Sequence, residues 1–182
     1  LLLTNLISKR LIERSALGLC NANSSRGDGS QRLQLSAAPR EAIRPRWSPD
    51  SKRIAYISDR SGSAQIWMMD PSGLNQKQVT TLSTEADGVT WSADGNQFAF
   101  TWGGDDGVND DIYVQAVGTS TPLRLTTDPA PEYSPEWSPD GRVIAFLRPL
   151  PDRRRHELRV IPPLGGPERK IAEITPHGFL RA

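Results

Sequence analysis

The sequence predicts an all-β fold: a partial β-propeller with about three complete four-stranded antiparallel blades and a degraded fragment of a preceding blade. Three observations carry that expectation. The segments Trp47-Ser48-Pro49-Asp50, Trp91-Ser92-Ala93-Asp94 and Trp137-Ser138-Pro139-Asp140 begin alike, with their tryptophans 44 and 46 residues apart. Three further landmarks keep step behind each tryptophan: an apolar triplet centred on alanine, a second apolar run, and an alternating strand after a glycine turn. Four short strands at a period of this length, separated by turn residues, are the signature of one propeller blade per unit.

The chain divides in order. Residues 1–31 are expected to be a poorly defined remnant of a preceding blade or a short helix, because Ser8-Lys9-Arg10-Leu11-Ile12 echoes Ser51-Lys52-Arg53-Ile54-Ala55 while Glu13 and Arg14 fall where Tyr56 and Ile57 stand. Leu35 precedes Trp47 by the same 12 residues that separate Val79 from Trp91 and Leu125 from Trp137. Residues 32–42 therefore read as the last strand of the preceding blade and a linker. Blade 1 spans 43–80, blade 2 spans 88–127, blade 3 spans 134–173, and 174–182 form a tail.

Within each blade the second strand carries Ile54-Ala55-Tyr56, Phe98-Ala99-Phe100 or Ile144-Ala145-Phe146. Alternate strand residues face opposite ways, so a small side chain lies on one face and two large ones on the other. Blades buried on both faces pack in this way, small against large. The third strand holds Ile66-Trp67-Met68-Met69, Ile112-Tyr113-Val114 or Leu158-Arg159-Val160-Ile161. Turns at Gly73, Gly118 and Gly165-Gly166 lead to Lys77-Gln78-Val79, Leu123-Arg124-Leu125 and Arg169-Lys170-Ile171. Ser-Pro-Asp-Gly is a tight turn, with Pro pre-setting φ and Gly accepting a positive one. Blade 1 has Ser51 in place of that glycine, at a cost of about 1 kcal/mol if the left-handed geometry persists. The repeated Trp47, Trp91 and Trp137, with Asp50, Asp94 and Asp140, are expected to be structural, each tryptophan covering the turn after the inner strand and packing between blades.

Composition narrows the function classes. Lys and Arg total 22 against 21 Asp and Glu, a net charge of +1, which speaks against nucleic-acid binding. A single cysteine, Cys20, excludes an internal disulfide framework and a multi-cysteine zinc cluster. No run of 18 apolar residues is present, so no membrane-inserted helix is expected. The first residues do not compose a complete signal peptide, and Leu19 before Cys20 is too large for a lipoprotein processing site. Three units and a fraction fall short of the 4–8 blades of a closed ring, so further blades of a parent chain are expected.

Chemistry is sparse. The histidines are His156 and His177, and no Gly-x-Ser-x-Gly elbow or phosphate-cradling glycine loop occurs, so no enzyme and no cofactor are expected. Asp105, Asp106, Asp110 and Asp111 share one loop and are the candidate ligands for a hard cation. Their spacing fails the EF-hand pattern, and a solvated acidic loop without metal is the expectation. In the matching loop of blade 3, Arg153, Arg154 and Arg155 suit an acidic partner; in blade 1 the same loop carries Asp59 and Arg60. These loops lie between the second and third strands and emerge together on one face, which is expected to bind a protein partner. Trp102 stands outside the tryptophan register and is the aromatic candidate for surface recognition.

The run from Pro45 to Gly62, continued by Gln65-Ile66-Trp67-Met68-Met69-Asp70, resembles the WD-like repeat of the TolB β-propeller family over roughly residues 32–173. The resemblance implies a propeller fold and an extracytoplasmic, periplasmic protein-binding scaffold. Similar repeats build the propellers of prolyl-oligopeptidase-family serine peptidases, in which a separate domain is catalytic. They also build the sensor regions of membrane-anchored kinases and transcriptional regulators, to which Val160–Arg169 is similar. Those are the alternatives that the resemblance leaves open.

Overall fold

The computed structural model describes residues 42–175, together with the short strands at 11–13, 23–25 and 33–34. Those first strands, β1 (Leu11–Glu13), β2 (Asn23–Ser25) and β3 (Leu33–Gln34), form a three-stranded antiparallel sheet. Cys20, His177 and the tail beyond Thr175 lie outside the described residues.

Three four-stranded antiparallel sheets follow, with each strand paired to the next in sequence. Blade 1 holds β4 (Ala42–Trp47), β5 (Ile54–Ser58), β6 (Gln65–Met69) and β7 (Lys77–Gln78). Blade 2 holds β8 (Ala86–Trp91), β9 (Gln97–Trp102), β10 (Asp111–Ala116) and β11 (Leu123–Arg124). Blade 3 holds β12 (Tyr133–Trp137), β13 (Ile144–Pro149), β14 (His156–Ile161) and β15 (Arg169–Ile174). The four strands of a blade are called A to D in chain order.

The alanine-centred triplets sort their side chains as the alternation requires. Ile54, Tyr56 and Met69 form one buried cluster, which Trp47 and Trp67 flank. Ala55, Ile57, Ile66 and Met68 point the other way and pack against Trp91, Phe98, Phe100 and Tyr113 of blade 2. Blade 2 repeats the arrangement, with Ala99, Ile112 and Val114 against Trp137, Ile144, Phe146 and Ile161 of blade 3. A buried aromatic or aliphatic side chain of this kind contributes about 1.5–3 kcal/mol. The blades stack face to face, with β8 touching β4, β5 and β6, and β12 touching β8, β9 and β10.

The turn after strand A is built alike three times. Ser48 Oγ donates to Asp50 Oδ1 at 2.6 Å and accepts from the Arg53 amide at 2.9 Å, and the Lys52 amide donates to Asp50. Ser92 with Asp94, and Ser138 with Asp140, repeat the clasp at 2.6 Å. Trp91 Nε1 reaches across the blade boundary to the Arg46 carbonyl at 3.0 Å. Trp91 and Trp137 are buried, and Trp47 is half-buried.

The left-handed turn persists without its glycine: φ is 60° at Ser51, against 72° at both Gly95 and Gly141. Ser51→Gly relieves the crowding of Cβ in this region. It is expected to raise stability by about 1 kcal/mol in denaturant unfolding, with an unchanged m-value.

One feature has no counterpart in the sequence reading. Each strand A carries a bulge, with register shifts between Ile43 and Arg46, Asp87 and Thr90, and Tyr133 and Glu136. The residue in each is left-handed: Arg44, Gly88 and Ser134, with φ of 52°, 64° and 56°. A bulge bends the strand and increases its twist. At Gly88 a Cβ would lie 3.2 Å from Pro135 Cδ of the next blade, a tight contact that glycine avoids at this left-handed position.

Candidate protein-interaction face

Strand direction alternates within a blade, so the loops after strands B and D leave the sheets at the same end. The B–C loops are residues 59–64, 103–110 and 150–155; the linkers between blades are 79–85 and 125–132. Hydrogen bonds tie them into one surface. Ser83 Oγ donates to Asp105 at 2.7 Å, Thr84 Oγ1 to the Gly104 carbonyl at 2.7 Å, and the Glu132 amide to the Asp110 carbonyl at 2.7 Å.

Each linker is also clasped from below. Thr80 Oγ1 accepts from the Ile66 amide, and Thr126 Oγ1 from the Ile112 amide, both at 2.9 Å. The first residue of strand C supplies the second clasp. In blade 1 the buried Gln65 accepts from Thr80 Oγ1 and the Leu82 amide and donates to the Leu82 and Thr84 carbonyls. In blade 2 the same position is Asp111, 1% exposed, which pairs with Arg124 and accepts from Thr126. Burial pushes the Asp111 carboxyl above its usual range, against the pull of Arg124.

The four acidic residues between 105 and 111 therefore do not act as one cluster. Asp105 holds Ser83, Asp106 accepts from the Val108 amide in its own loop, and Asp111 belongs to the linker clasp. Burial and the nearby Asp87 push the Asp110 carboxyl upwards. Among the described residues no three His, Cys, Asp or Glu side chains converge as a metal site would require. Together with Trp102, Tyr113 and Arg124, this loop lines an open notch of about 390 Å³.

Trp102 lies outside the register of Trp47, Trp91 and Trp137. It is the last residue of β9, at the repeat position of Ser58 in β5 and Arg148 in β13, and so stands in register with the strand cores. Its Nε1 donates to Thr84 Oγ1 at 2.7 Å, and its ring lies 4.9 Å from that of Tyr113. The side chain pins the linker. Arg60 is likewise occupied: its guanidinium lies 4.6 Å over Trp67 and 5.6 Å over Tyr56 and bonds Gln76. Asp59 is engaged as well.

At the third copy of this position, Arg148 organises a buried network. Its Nε donates to Glu132 at 2.8 Å, and its other nitrogens reach Asp128 at 3.1 Å and Glu168 at 2.6 Å. Glu132 is 0% exposed; burial raises its carboxyl above the usual range, opposed by the nearby Thr126 hydroxyl and by Arg148. The sequence reading missed this cluster because its members are spread from 128 to 168.

The arginine triplet divides. Arg155 pairs with Asp152 at 2.9 Å and Glu173 at 3.0 Å, whereas Arg153 and Arg154 are exposed at the tip. Hydrogen bonds from the Arg155 side chain and the Arg155 and Arg154 amides bring the Asp152 carboxyl down to about 2. Between this loop and the linker of blades 2 and 3 lies a cleft of about 540 Å³, walled by Pro131, Pro149, Leu150 and Pro151.

The clasp carboxyls Asp50, Asp94 and Asp140 are also held below their usual range, first by the serine hydroxyl and then by a backbone amide. Groups lowered in the folded state stabilise it above the unfolded pKa and lose that contribution as pH falls through the folded one. The thermal midpoint is therefore expected to fall below about pH 4. Replacing Ser48, Ser92 and Ser138 together by alanine should flatten that fall in a calorimetric pH series.

Three stacked, sequentially wound four-stranded sheets define a β-propeller segment. The family model for the TolB β-propeller domain matches residues 18–150, and the chain belongs to that family. A Tol-Pal system protein TolB of Anaeromyxobacter dehalogenans (strain 2CP-C) is 35% identical over 110 residues, covering 60% of this chain and 25% of that protein. Dipeptidyl-peptidase 5 of Porphyromonas endodontalis is 40% identical over 74 residues, 41% of this chain and 11% of that protein. The structure of a putative TolB from Agrobacterium tumefaciens superimposes with a TM-score of 0.76 at 20% identity, covering 91% of this chain and 61% of that one. The chain thus matches a quarter or less of the length of these two curated relatives.

Proposed function

We propose that this chain is a non-catalytic protein-interaction scaffold in an extracytoplasmic, periplasmic setting, and that it recognises a protein partner through the B–C loop face. The observation that carries the reading is the arrangement of that face. An acidic notch at Asp105 and Asp106 and a cleft lined by Arg153 open among the B–C loops, which hydrogen bonds tie to the linkers between blades. Loops on a fixed scaffold recognise partners with little ordering cost, and paired patches of opposite charge set orientation. Similarity to a Tol-Pal system protein supports both the partner class and the compartment. The experiment is reversal of Arg153 and Arg154 to glutamate in the complete protein, followed by affinity co-purification from its native cell envelope. Loss or exchange of the co-purifying protein is expected; an unchanged set would remove the reading.

The 40% identity to a dipeptidyl-peptidase supports a second reading, in which the chain is the accessory propeller of a prolyl-oligopeptidase-family serine peptidase. Turnover of dipeptide 4-nitroanilides by the complete protein would favour it.

A further inference from the structure

The B–C turns of the three blades are equivalent at one more point. The Gly62 amide donates to the Asp59 carbonyl, the Gly107 amide to Gly104, and the Arg153 amide to Leu150. All three residues are left-handed, with φ of 112°, 65° and 54°. Blades 1 and 2 place glycine there, the residue suited to that backbone. Blade 3 places an arginine, whose side chain makes no hydrogen bond or ion pair among the described residues and lines the cleft beside Pro131, Pro149, Leu150 and Pro151. Non-glycine residues in this region cost stability; they occur at structural turns, as at Ser51, and at ligand clamps, and the cleft lining places Arg153 with the second kind.

The rest of the lining agrees. His156 closes the cleft, its ring set edge-on to Tyr133 with centroids 5.6 Å apart, and its Nδ1 is buried with no hydrogen-bond partner among the described residues. Among the described residues no carboxylate lines the cleft. The carboxylates adjacent to lining residues are all paired: Asp152 with Arg155, Glu132 with Arg148, and Glu157 with Arg159 and Lys170. Proline walls carry no amide donor, so a bound chain finds apolar contact on the walls and positive charge at the rim.

Resting on the interaction reading above, we infer that this cleft is a peptide-binding subsite for an extended partner segment in which a bulky apolar residue is followed by an acidic one. The apolar side chain seats against Pro131, Leu150 and Pro151, and the carboxylate pairs with the Arg153 guanidinium, with Arg154 adding to the field. The committed occupant is an internal segment of a partner protein with acidic and apolar residues in alternation.

The test is fluorescence anisotropy on the complete protein, with a fluorescein-labelled decapeptide carrying Leu-Glu-Leu-Glu in a Gly-Ser frame. Peptides with Leu-Gln-Leu-Gln or Ser-Glu-Ser-Glu in the same frame serve as controls. Saturable binding of the first is expected, with at least a tenfold loss for either control. Arg153→Gly is the decisive variant: it restores the residue that the backbone suits, so the thermal midpoint holds or rises while the affinity falls at least fivefold. Arg142→Gly, on the opposite face, leaves binding unchanged. Absence of saturable binding to the wild-type protein, or binding that Arg153→Gly leaves intact, overturns the inference. If Arg153→Gly leaves peptide binding intact while the glutamate reversal still abolishes co-purification, this cleft fails and the interaction face stands.

Discussion

Replacing Arg148 with methionine is expected to cost about 3–5 kcal/mol, read as a fall of roughly 10 °C in the thermal midpoint. The reason is the carboxylate left behind. Glu132 is fully buried, with one oxygen bonded to Arg148 and the other, Oε2, without a hydrogen-bond partner among the described residues. Without the guanidinium, the glutamate must take up a proton or draw water into the blade 2–blade 3 boundary, and Asp128 loses its partner as well. Glu168 keeps Arg159 at 2.9 Å, so the outer edge of the network survives. Adding Glu132→Leu to the methionine variant should recover most of the loss, because an apolar pair of similar volume replaces a buried ion pair at little cost. A double variant no more stable than the single one would show that the network matters through Asp128 and Glu168 instead.

Phe100→Ala is expected to be equally severe, at about 3–5 kcal/mol. Phe100 is 0% exposed, in the cluster that joins blades 1 and 2, and its ring centroid lies 5.8 Å from Phe98 and 5.9 Å from Tyr113. Truncation opens a cavity that two sheets cannot close without losing their register. Leu123→Ala, on an exposed edge strand, is the control and should stay within about 0.5 kcal/mol. Chemical denaturation of both variants checks the contrast.

These residues show how legible the fold was. Phe100 belongs to a triplet whose large-small-large alternation states its own burial, and the Trp-Ser-x-Asp clasp is written contiguously because its hydrogen bonds span five residues. Local rules therefore recover the strands, the turns and the inter-blade packing. The strand A bulges were not legible, since Arg44, Gly88 and Ser134 share a backbone conformation but no side-chain chemistry. Arg148 was not legible either: its partners lie up to 20 residues away, and only stacking of the blades brings them together.

The candidate site was legible as a face and not as residues. Loop position placed 103–110 and 150–155 together, and the charges of both loops could be read directly. What the sequence did not disclose is how many of those side chains the scaffold itself consumes. Arg60 packs on Trp67, Trp102 pins Thr84, Asp111 clasps Arg124 and Arg155 holds Asp152. Arg153 and Arg154 are left at the tip, and the φ of 54° at Arg153, where blades 1 and 2 carry glycine, has no signature in its side-chain chemistry.

The most direct measurement is a photo-crosslinking scan of the complete protein in its native envelope. Benzoylphenylalanine is placed at Val108 and Arg154, exposed on the B–C loop face, and at Lys52 and Arg142, exposed on the opposite face. Recognition through the B–C loops predicts a discrete protein adduct from the first two positions and none from the second two. Adducts that form from Lys52 or Arg142 alone would contradict it.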